Sequence, residues 1–541
     1  MKIKFLALAM IAMLFTACKP DPQPEGGEGS GTNNGDVESS YIAISIAADN
    51  MDRGFDDGTE KFEDGLADEN AVKSVNVFFF RNGESFIINE AIGKNFQEVS
   101  FVFNEEGNNT NNIEEISNSV LVIDGHQGEL PNQMVVVLNW IPTNSSKNTY
   151  TLAELQAALT NHINTIDGTD YFVMSNAVYK DAAGDVYATP LAITDFKETA
   201  TEATNNPVQV YVERVAAKVR VNTPDVTEHR FALRNAENGE YKVKVEGVET
   251  QVYAKITGWE LYNDYQESYL LKNIEGLPAY NDEFNGFWWN SPSNHRSYWA
   301  KSLTGFNETL SYNSITGYPN LKYCGENTNS PLDGDDRTLR TQVVLKAELQ
   351  AENGQPIEIA RWHGNDYIGK ENLIIAVTNT LVNTYYTRTL DAVNNTYIYN
   401  PITTNDLKTV VGSTLGEEEY EVYVQLKENT EKWYKRNGSD FAEITCENLN
   451  AELKAIIGEA LLYEGGKTYY FTDIKHLGNT YGVVRNHIYD INIKSITGLG
   501  TPVVSGNPVI VTPEVPEDNA TYVAAQINIL SWRVVSNDVN L

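Results

Sequence analysis

The residue with the clearest chemistry near the start of the sequence is Cys18. It follows Thr16 and Ala17, behind the mostly apolar run Phe5–Phe15. Because that run is much shorter than the roughly twenty residues that cross a bilayer, it is typical of the apolar region of a signal peptide. A cysteine in this position matches a lipobox, in which the thiol is diacylated. The sequence predicts a lipoprotein signal peptide over residues 1–18; the alternative is an ordinary signal peptide with an incidental cysteine.

Patterns that would support catalysis, metal binding or phosphate binding are weak. Gly465-Gly466-Lys467-Thr468 resembles the end of a phosphate loop, but Leu461 stands where that loop needs a glycine, which favours a hairpin turn. The acidic run Asp333–Asp336 lacks the ligand spacing of a calcium loop and favours a solvated turn. Phe287-Trp288-Trp289 could bind glycan or, as we expect, plug a seam between domains. We therefore predict no catalytic residues, no metal, no cofactor and no enzymatic activity.

The charge of the chain excludes one class of partner. The formal net charge is −34 over 541 residues, which repels nucleic acid and anionic lipid.

Residues 19–36 contain no large apolar side chain and predict a disordered linker. Beyond Cys18 only Cys324 and Cys446 remain, and their pairing is left open because spacing alone does not fix it.

Most of the chain is predicted to be β-structure. Runs rich in Val, Ile, Phe and Tyr recur between polar turns, which favours β-sandwiches with few short helices. The predicted strands are Tyr41–Ala48, Val72–Phe80, Gln133–Trp140, Val208–Val221, Thr341–Leu349, Asn372–Thr378, Glu419–Leu426, Thr468–Phe471 and His487–Ile496. Two helices are predicted, Thr151–Thr160 with a capping box of Thr151 and Glu154, and Glu447–Glu459 with Leu449, Leu453 and Ile456 on its apolar side.

The chain is predicted to divide at the polar stretch that ends in Asn205-Asn206-Pro207. The expected order is a signal peptide (1–18), a linker (19–36), an amino-terminal β-sandwich (37–206), a carboxyl-terminal β-sandwich (207–497) and a final linker with a terminal strand (498–541).

Three sequence motifs resemble Bacteroidales fimbrillins. Residues 213–219, Glu-Arg-Val-Ala-Ala-Lys-Val, resemble the strand that opens the carboxyl-terminal domain of that family. Residues 484–493, Val-Arg-Asn-His-Ile-Tyr-Asp-Ile-Asn-Ile, are similar to a late strand. Residues 527–534, Ile-Asn-Ile-Leu-Ser-Trp-Arg-Val, resemble the tail of a minor-fimbria stalk subunit. The likeness spans nearly the whole chain.

The resemblance implies a fold and a mode of assembly. It implies two transthyretin-like β-sandwiches, export as an outer-membrane lipoprotein, and removal of an amino-terminal segment by an Arg-specific protease. It also implies head-to-tail polymerisation by strand exchange, as in type V pili, with other fimbrial subunits and accessory tip and anchor proteins as partners. The adhesion ligand, on a host or another bacterium, is left open.

The sequence contains a strand that cleavage could remove. Ile42, Ile44 and Ile46 share one face of the first predicted strand, and Arg53-Gly54 follows in a polar loop as the first basic site after the linker. Cleavage between Arg53 and Gly54 would release the lipid anchor together with this strand.

The end of the chain could provide the replacement strand. Apolar residues alternate along this segment and then move from odd-numbered to even-numbered positions. This pattern predicts a donor strand with a bulge. Its apolar residues are Val523, Ile527, Ile529, Leu530, Trp532 and Val534. An extended segment that adds to a sheet of another subunit is β-augmentation, and a head-to-tail contact of this kind builds a filament. The alternative is that the segment is the last strand of its own sandwich.

The preferred function is therefore that of a structural stalk subunit. Two alternatives stay open, a fimbrial tip or anchor adhesin and a monomeric surface lipoprotein that binds glycan. Exposed aromatic residues such as Trp288, Trp289 and Trp299 would favour the last.

Overall fold

The computed structural model describes residues 40–48, 61–62, 65–88, 92–99, 114–123, 129–181, 184–237, 239–265, 267–276, 297, 299–303, 310–329, 336–427, 432–476, 480–504, 509–510, 522–530 and 533–537. Within these ranges strands predominate and the helices are short, which confirms the predicted all-β class. No helix in this part of the chain has the length and apolar character that a membrane span requires.

The amino-terminal part contains one large mixed sheet, with apolar side chains on both faces, and several short strands outside that sheet. Its strands are β1 (Ser40–Ala48), β2 (Lys61–Phe62), β3 (Val75–Arg81), β4 (Glu84–Ser85), β5 (Phe96–Val99), β6 (Glu114–Ile123), β7 (Gln133–Leu138), β8 (Leu159–Asn161), β9 (Ile163–Ile166), β10 (Thr169–Phe172), β11 (Met174–Asn176), β12 (Tyr179–Asp181), β13 (Gly184–Val186), β14 (Thr189–Pro190) and β15 (Val208–Arg214). The order in this amino-terminal sheet is β4-β3-β7-β11-β15-β1-β6, with β5 also beside β3 and β14 beside β7. Strands β9 and β10 form a separate pair, as do β12 and β13, while β2 and β8 pair with strands from later in the chain. Because side chains alternate along a strand, Val77 and Phe79 enter one apolar cluster, and Phe78 and Phe80 enter another.

Three short helices accompany this sheet, α1 (Ala67–Asn70), α2 (Leu152–Ala157) and α3 (Ala200–Asn205). The predicted capping box at the start of α2 is confirmed. Thr151 Oγ1 accepts from the backbone N–H of Glu154 at 3.2 Å, and Glu154 Oε2 accepts from the backbone N–H of Thr151 at 2.9 Å. The helix ends at Ala157, three residues earlier than predicted, because the chain enters β8 at Leu159.

The change from the amino-terminal sheet to the next one occurs later than the sequence indicated. Strand β15 begins at Val208, after the predicted break at residue 206, yet it pairs with β1 and β11. The next strand begins at Ala217 and belongs to a different sheet. The predicted single strand Val208–Val221 is therefore two strands, and its continuous apolar character arises because Val215 and Ala216 are buried where the chain crosses between the sheets.

The carboxyl-terminal part begins with eight strands, five of which belong to two further large sheets. They are β16 (Ala217–Asn222), β17 (Arg230–Ala232), β18 (Lys242–Val245), β19 (Val248–Gln251), β20 (Tyr253–Tyr262), β21 (Glu267–Tyr269), β22 (Lys322–Cys324) and β23 (Gln342–Gln350). One of these strands, β21, pairs with β8 and so connects the two parts of the chain.

Residues 359–463 form an insert with its own apolar core, which the sequence did not indicate. Its strands are β24 (Ile359–Trp362), β25 (Asn365–Ile368), β26 (Tyr385–Asp391), β27 (Thr396–Pro401), β28 (Leu407–Val411), β29 (Glu421–Leu426), β30 (Trp433–Asn437), β31 (Asp440–Ile444) and β32 (Ala460–Tyr463), and its helices are α4 (Gly369–Leu381) and α5 (Cys446–Ile457). The strands form two sheets, β25-β24-β32-β29-β28 and β27-β26-β30-β31. Both helices pack into the core.

The last strands complete a sandwich of two sheets. They are β33 (Lys467–Asp473), β34 (Ile488–Thr497), β35 (Thr501–Pro502), β36 (Tyr522–Leu530) and β37 (Arg533–Asn537). One sheet has the order β2-β37-β36-β34-β16-β22, and the other has the order β17-β20-β23-β33-β35. Val219 and Ile491 of the first sheet share an apolar cluster with Trp259, Leu345 and Tyr470 of the second, so this core lies between the two sheets.

Two predictions about helices were wrong in detail. The predicted strand Asn372–Thr378 lies inside helix α4, which buries Leu373, Val377 and Leu381 at intervals of four residues. The apolar run between them hides this helical spacing, and Ile375 is exposed. In α5, Leu449 and Leu453 are buried as predicted, but the third buried residue is Ile457, whereas Ile456 is exposed.

The structure places the glycine pair in a turn and both described cysteines in or beside an apolar core. Gly465 and Gly466 form a turn before β33, with φ of 61° and 79°, but the predicted hairpin is wrong, because the strands that this turn joins, β32 and β33, belong to different sheets. Cys324 is buried in the core between the two sheets, and Cys446 begins α5 beside the core of the insert. The two cysteines do not form a disulfide with each other.

Candidate functional site

Strand β1 lies in the interior of the amino-terminal sheet, between β15 and β6. It runs parallel to β15, with Ile44 opposite Val208 and Ile46 opposite Val210, and antiparallel to β6. Ile42 is fully buried and belongs to the apolar cluster on one face. Removal of β1 would therefore leave two unpaired strand edges and an empty place in the core. We call this place the β1 slot.

The other residues predicted for processing fall outside this description. Cys18, Arg53 and Gly54 lie outside the described residues. The backbone of Ile44 and Ile46 is described, but their side chains are not. Of the predicted displaced strand, the structure therefore places one side chain, that of Ile42, in a core.

The predicted donor strand pairs with its own chain. Strand β36 lies antiparallel to β34, with Leu530 opposite Ile488 and Val523 opposite Ile496. Strand β37 returns beside β36 and also pairs with β2. This is the arrangement expected of the alternative interpretation, a last strand of its own sandwich. The side chains of the predicted donor residues and the whole of Trp532 lie outside the described part: Val523, Ile527, Ile529, Leu530, Trp532 and Val534.

The three sequence motifs meet at β34, because β36 pairs with it on one side and the first motif meets it on the other. Strand β16 pairs in parallel with β34. Lys218 donates its backbone N–H to the carbonyl of His487 at 2.9 Å, and Asn486 donates its backbone N–H to the carbonyl of Ala216 at 2.7 Å. The Arg214 guanidinium also donates to Asn486 Oδ1 at 3.4 Å. Residues 213–219 and 484–493 therefore form one region where the sheets adjoin.

A first buried ion pair connects this region to helix α1. Lys218 Nζ lies 2.5 Å from Glu69 Oε1, and both side chains are about 1% exposed. Tyr323 Oη donates to the same carboxylate oxygen at 2.5 Å, and the backbone N–H of Leu66 donates to Oε2 at 2.9 Å. Arg214 Nε donates to the backbone carbonyl of Glu69 at 3.0 Å. The Glu69 carboxylate therefore has several partners besides the lysine.

A second buried ion pair joins β15 to the segment after β21. Lys272 Nζ lies 2.7 Å from Glu213 Oε2 and donates to the backbone carbonyl of Ser297 at 2.8 Å. Burial raises the pKa of the Glu213 carboxyl and lowers the pKa of the Lys272 amine, while each partner opposes the shift of the other. Both directions have the same cause, which is that burial disfavours the charged form of each group.

A third buried ion pair fixes the start of β34. Arg485 Nη2 lies 2.6 Å from Glu326 Oε2, and both side chains are almost fully buried. The guanidinium also donates to the backbone carbonyls of Leu270 at 3.1 Å and Tyr269 at 2.6 Å. Ser175 Oγ, from the amino-terminal sheet, donates to the carbonyl of Leu270 at 2.6 Å.

These three ion pairs form what we call the buried joint: Glu69–Lys218, Glu213–Lys272 and Glu326–Arg485. They were not predicted from the sequence, although a signal was present. Glu213 and Lys218 stand within the mostly apolar run 208–221, and Arg485 directly follows Val483 and Val484. Charged residues are almost never fully buried unless they are paired. A charge inside such a run can therefore indicate a buried partner, but the partner lies far away in sequence and is not identified by it.

The ion pairs of the buried joint fix the positions of the strands that carry them. Each charge has a partner of opposite sign at hydrogen-bonding distance, and the side chains are excluded from solvent. Among the residues that the structure describes, no three His, Cys, Asp or Glu side chains are grouped as a metal site requires. The arrangement therefore supports positioning of the sheets.

A comparison with protein families connects the carboxyl-terminal strands to fimbriae. Residues 462–538 match the family described as the carboxyl-terminal part of fimbrillin, the major fimbrial subunit protein type IV. The matched range contains β33 to β37 and so includes Arg485 of the buried joint. No curated protein matches the chain in sequence.

Solved structures of similar proteins cover most of the chain at low identity. A protein from Parabacteroides distasonis described as a cell adhesion protein is 12% identical, covering 90% of this chain and 95% of its own, with a TM-score of 0.32. A protein with the same description from Bacteroides eggerthii is 12% identical, covering 94% and 98%, with a TM-score of 0.28.

The tip fimbrial protein Mfa3 from Porphyromonas gingivalis is also 12% identical, covering 84% of this chain and 95% of its own, with a TM-score of 0.28. Scores this low do not establish a common fold, so the relationship depends on the family match and on the motifs. The family match supports a fimbrial role at the cell surface. The resemblance to fimbrillins predicted from the sequence is thus confirmed by the fimbrillin match over residues 462–538.

Proposed function

We propose that this chain is a structural stalk subunit of a surface fimbria, which polymerises when a protease cuts between Arg53 and Gly54. Cys18 carries the lipid anchor that holds the exported precursor at the outer membrane. Cutting removes the anchor and β1 together, and β36 of a neighbouring subunit enters the β1 slot. The single observation that carries the proposal is the interior position of β1 between β15 and β6.

An emptied β1 slot would be unstable in water. Burial of an isoleucine side chain contributes about 1.5–3 kcal/mol, and Ile42 is fully buried. Strands β15 and β6 would also lose the hydrogen bonds that they share with β1. Unpaired strand edges bind other extended segments readily. A cut subunit therefore has a strong tendency to accept a strand from another chain.

The sequence of β36 suits that slot. Ile527-Asn528-Ile529 repeats the alternation of Ile44-Ser45-Ile46, with a small or polar residue between two isoleucines. To serve as a donor, β36 must leave β34, so the hydrogen bonds lost in one subunit are replaced in the next. The exchange is then close to balanced, and the cut at Arg53 decides its direction because it opens the acceptor.

The buried joint suits a subunit that carries load along a fibre. Its three ion pairs connect the amino-terminal sheet, the segment after β21 and the start of β34. A charge pulled away from its partner inside a low-dielectric core is strongly disfavoured. The joint therefore resists separation of the two parts of the chain. We propose that the sandwich domains meet there, and that the insert (359–463) belongs to the second domain.

Electron microscopy of the trypsin-treated precursor tests the proposal. Wild-type protein is expected to form filaments after limited cleavage, and Arg53→Ala is expected to remain monomeric under the same treatment. A matched control is Arg436→Ala, because Arg436 is an exposed residue near the end of β30 in the insert, remote in sequence from the cut. Filaments formed equally well by Arg53→Ala would refute protease-triggered assembly.

A second candidate function is that of a tip or anchor subunit. The pairing of β36 with β34 in the same chain favours it, because a subunit that keeps its last strand accepts a donor without offering one. The same microscopy experiment would favour this second function if it showed short complexes that do not grow into filaments.

A further inference from the structure

Strand β27 lies at the edge of the insert sheet β27-β26-β30-β31. It pairs with β26 on one side. Its residues Tyr397 and Ile398 are each about half exposed. The hairpin of β26 and β27 also exposes Leu390 and, at its turn, Val393. This edge therefore presents apolar side chains and backbone groups to solvent together.

The edge lacks the features that usually prevent contact between strands. Edge strands are normally protected by charged residues, proline in the strand, or bulges. The opposite edge of the same sheet, β31, carries Asp440 and Glu443. Strand β27 has no charged residue, and its proline is the last residue, Pro401. In a chain with a net charge of −34, this is a place where a second acidic molecule can approach with little local repulsion.

The sequence of the edge is symmetric about Ile398. Residues 396–400 read Thr-Tyr-Ile-Tyr-Asn. If two copies pair antiparallel about a twofold axis at Ile398, each Tyr397 lies opposite the partner's Tyr399, and Ile398 lies opposite its own counterpart. Aromatic pairs and pairs of β-branched residues directly opposite each other stabilise antiparallel strands.

The aromatic side chains beside this edge are already ordered by their neighbours. The Arg388 guanidinium lies 4.1 Å from the ring centre of Tyr397, and Tyr399 stacks on Phe441 with ring centres 3.8 Å apart. Side chains that are held before contact lose less entropy when contact forms. Because these ring faces are occupied and the exposed residues include the aliphatic Leu390, Val393 and Ile398, the edge suits a protein strand better than a sugar ring.

We propose that β27 pairs with β27 of a second copy of this chain and so joins subunits side by side. The contact is isologous, with the same surface used by both partners. It involves neither the β1 slot nor β36, so it is independent of strand exchange. A five-residue edge buries far less than a stable dimer interface, so the contact is weak between single molecules and becomes effective along two filaments that present it repeatedly.

Disulfide trapping in the uncut chain tests this pairing. The protein is the full chain with Cys18→Ser and Cys446→Ser, which leaves the buried Cys324 as its native thiol. Ile398→Cys places two thiols across the axis, where antiparallel Cα atoms lie about 4.5–5.5 Å apart, within disulfide range. We expect covalent dimers at a rate roughly tenfold or more above that of Val393→Cys, since only the paired position gains effective concentration. Val393 is the more exposed residue of the two.

A charge variant gives the second arm of the test. Ile398→Lys puts like charges directly opposite each other, so it is expected to abolish association measured by sedimentation at high protein concentration, whereas Val393→Lys is expected to leave it unchanged. Thermal melting confirms that both variants are folded. Equal dimer rates for Ile398→Cys and Val393→Cys, or a wild-type chain that shows no association at any concentration, would overturn the proposal. Because the uncut chain is used, failure here leaves the proposed strand exchange untouched.

Discussion

Arg485 Nη2 lies 2.6 Å from Glu326 Oε2 in a region where both side chains are almost fully buried. The same guanidinium donates to two backbone carbonyls that precede Lys272 of a neighbouring ion pair. Arginine stays protonated inside a protein, so its charge requires the carboxylate. This relationship ties the segment after β21 to the start of β34, and it explains why a charged residue occurs within the fimbrillin motif at residues 484–493.

Glu326→Gln is expected to destabilise the protein by about 3–5 kcal/mol, since it leaves the buried Arg485 charge without its counter-ion. Glu443→Gln is a matched control, because Glu443 pairs with Lys432 where both side chains are exposed. Loss of an exposed pair costs about 0–1 kcal/mol. Chemical denaturation of the two variants and wild type measures the difference. Equal stability of both variants would contradict the role given to the buried joint.

A second prediction concerns the turn before β33. Gly466→Ala is expected to destabilise the fold more than Gly465→Ala, although both residues have positive φ. A Cβ at Gly466 would lie 2.6 Å from the backbone carbonyl oxygen of Leu349, whereas a Cβ at Gly465 meets nothing within 4 Å. Gly465→Ala measures the backbone strain alone, about 1–2 kcal/mol. Comparable unfolding midpoints for both variants would mean that the close approach to Leu349 is not present.

The position of His229 predicts a pH dependence of stability. Its ring stacks on Tyr318, with ring centres 3.8 Å apart, and its Nδ1 lies 2.7 Å from Thr223 Oγ1. Burial lowers the pKa of His229 below the ordinary value. The unfolded chain therefore binds a proton at a higher pH than the folded chain does, so this contribution to stability is present above a pH of about 6.5 and is lost as the pH falls.

His229→Gln is expected to reduce this dependence. Unfolding free energies of wild type and variant, measured across the interval below pH 6.5, provide the test. The expected result is a wild-type stability that rises with pH more steeply than that of the variant. Parallel curves would show that His229 is not responsible.

A fourth prediction separates the precursor from the assembled subunit. Ile42→Ala is expected to destabilise the uncut chain by about 2–5 kcal/mol, because it opens a cavity in the core of the amino-terminal sheet. Cutting after Arg53 removes residue 42, so filaments made from this variant should melt like wild-type filaments. Melting curves taken before and after cleavage compare the two states. A variant that remains less stable after assembly would indicate that β1 is retained.

Local signals in the sequence predicted much of the fold. The capping box at Thr151, the alternation in β1 and the apolar runs of β7 and β23 depend on neighbouring residues, and the structure has each of these elements. Helix α4 was missed because its apolar run, Leu373–Val377, satisfies a strand pattern as well as a helical one. The division between β15 and β16 was missed because both strands and their crossing are buried, which removes the polar interruption that marks a turn.

The candidate site was predicted less completely than the fold. The motifs at residues 213–219 and 484–493 indicated two regions that contribute charges to the buried joint. The partners of these charges come from elsewhere in the chain. Glu69 pairs with Lys218, and Glu326 pairs with Arg485, across long separations in sequence. Such pairs are set by tertiary structure, and a single sequence contains no periodicity that reveals them.

The central claim of this account is that β1 leaves the subunit when the fimbria assembles. The most direct measurement is amino-terminal sequencing of subunits taken from purified filaments. The account predicts chains that begin at Gly54 and therefore lack Ile42, Ile44 and Ile46. Filaments composed of chains that begin at or before Ser40, with β1 intact, would contradict it.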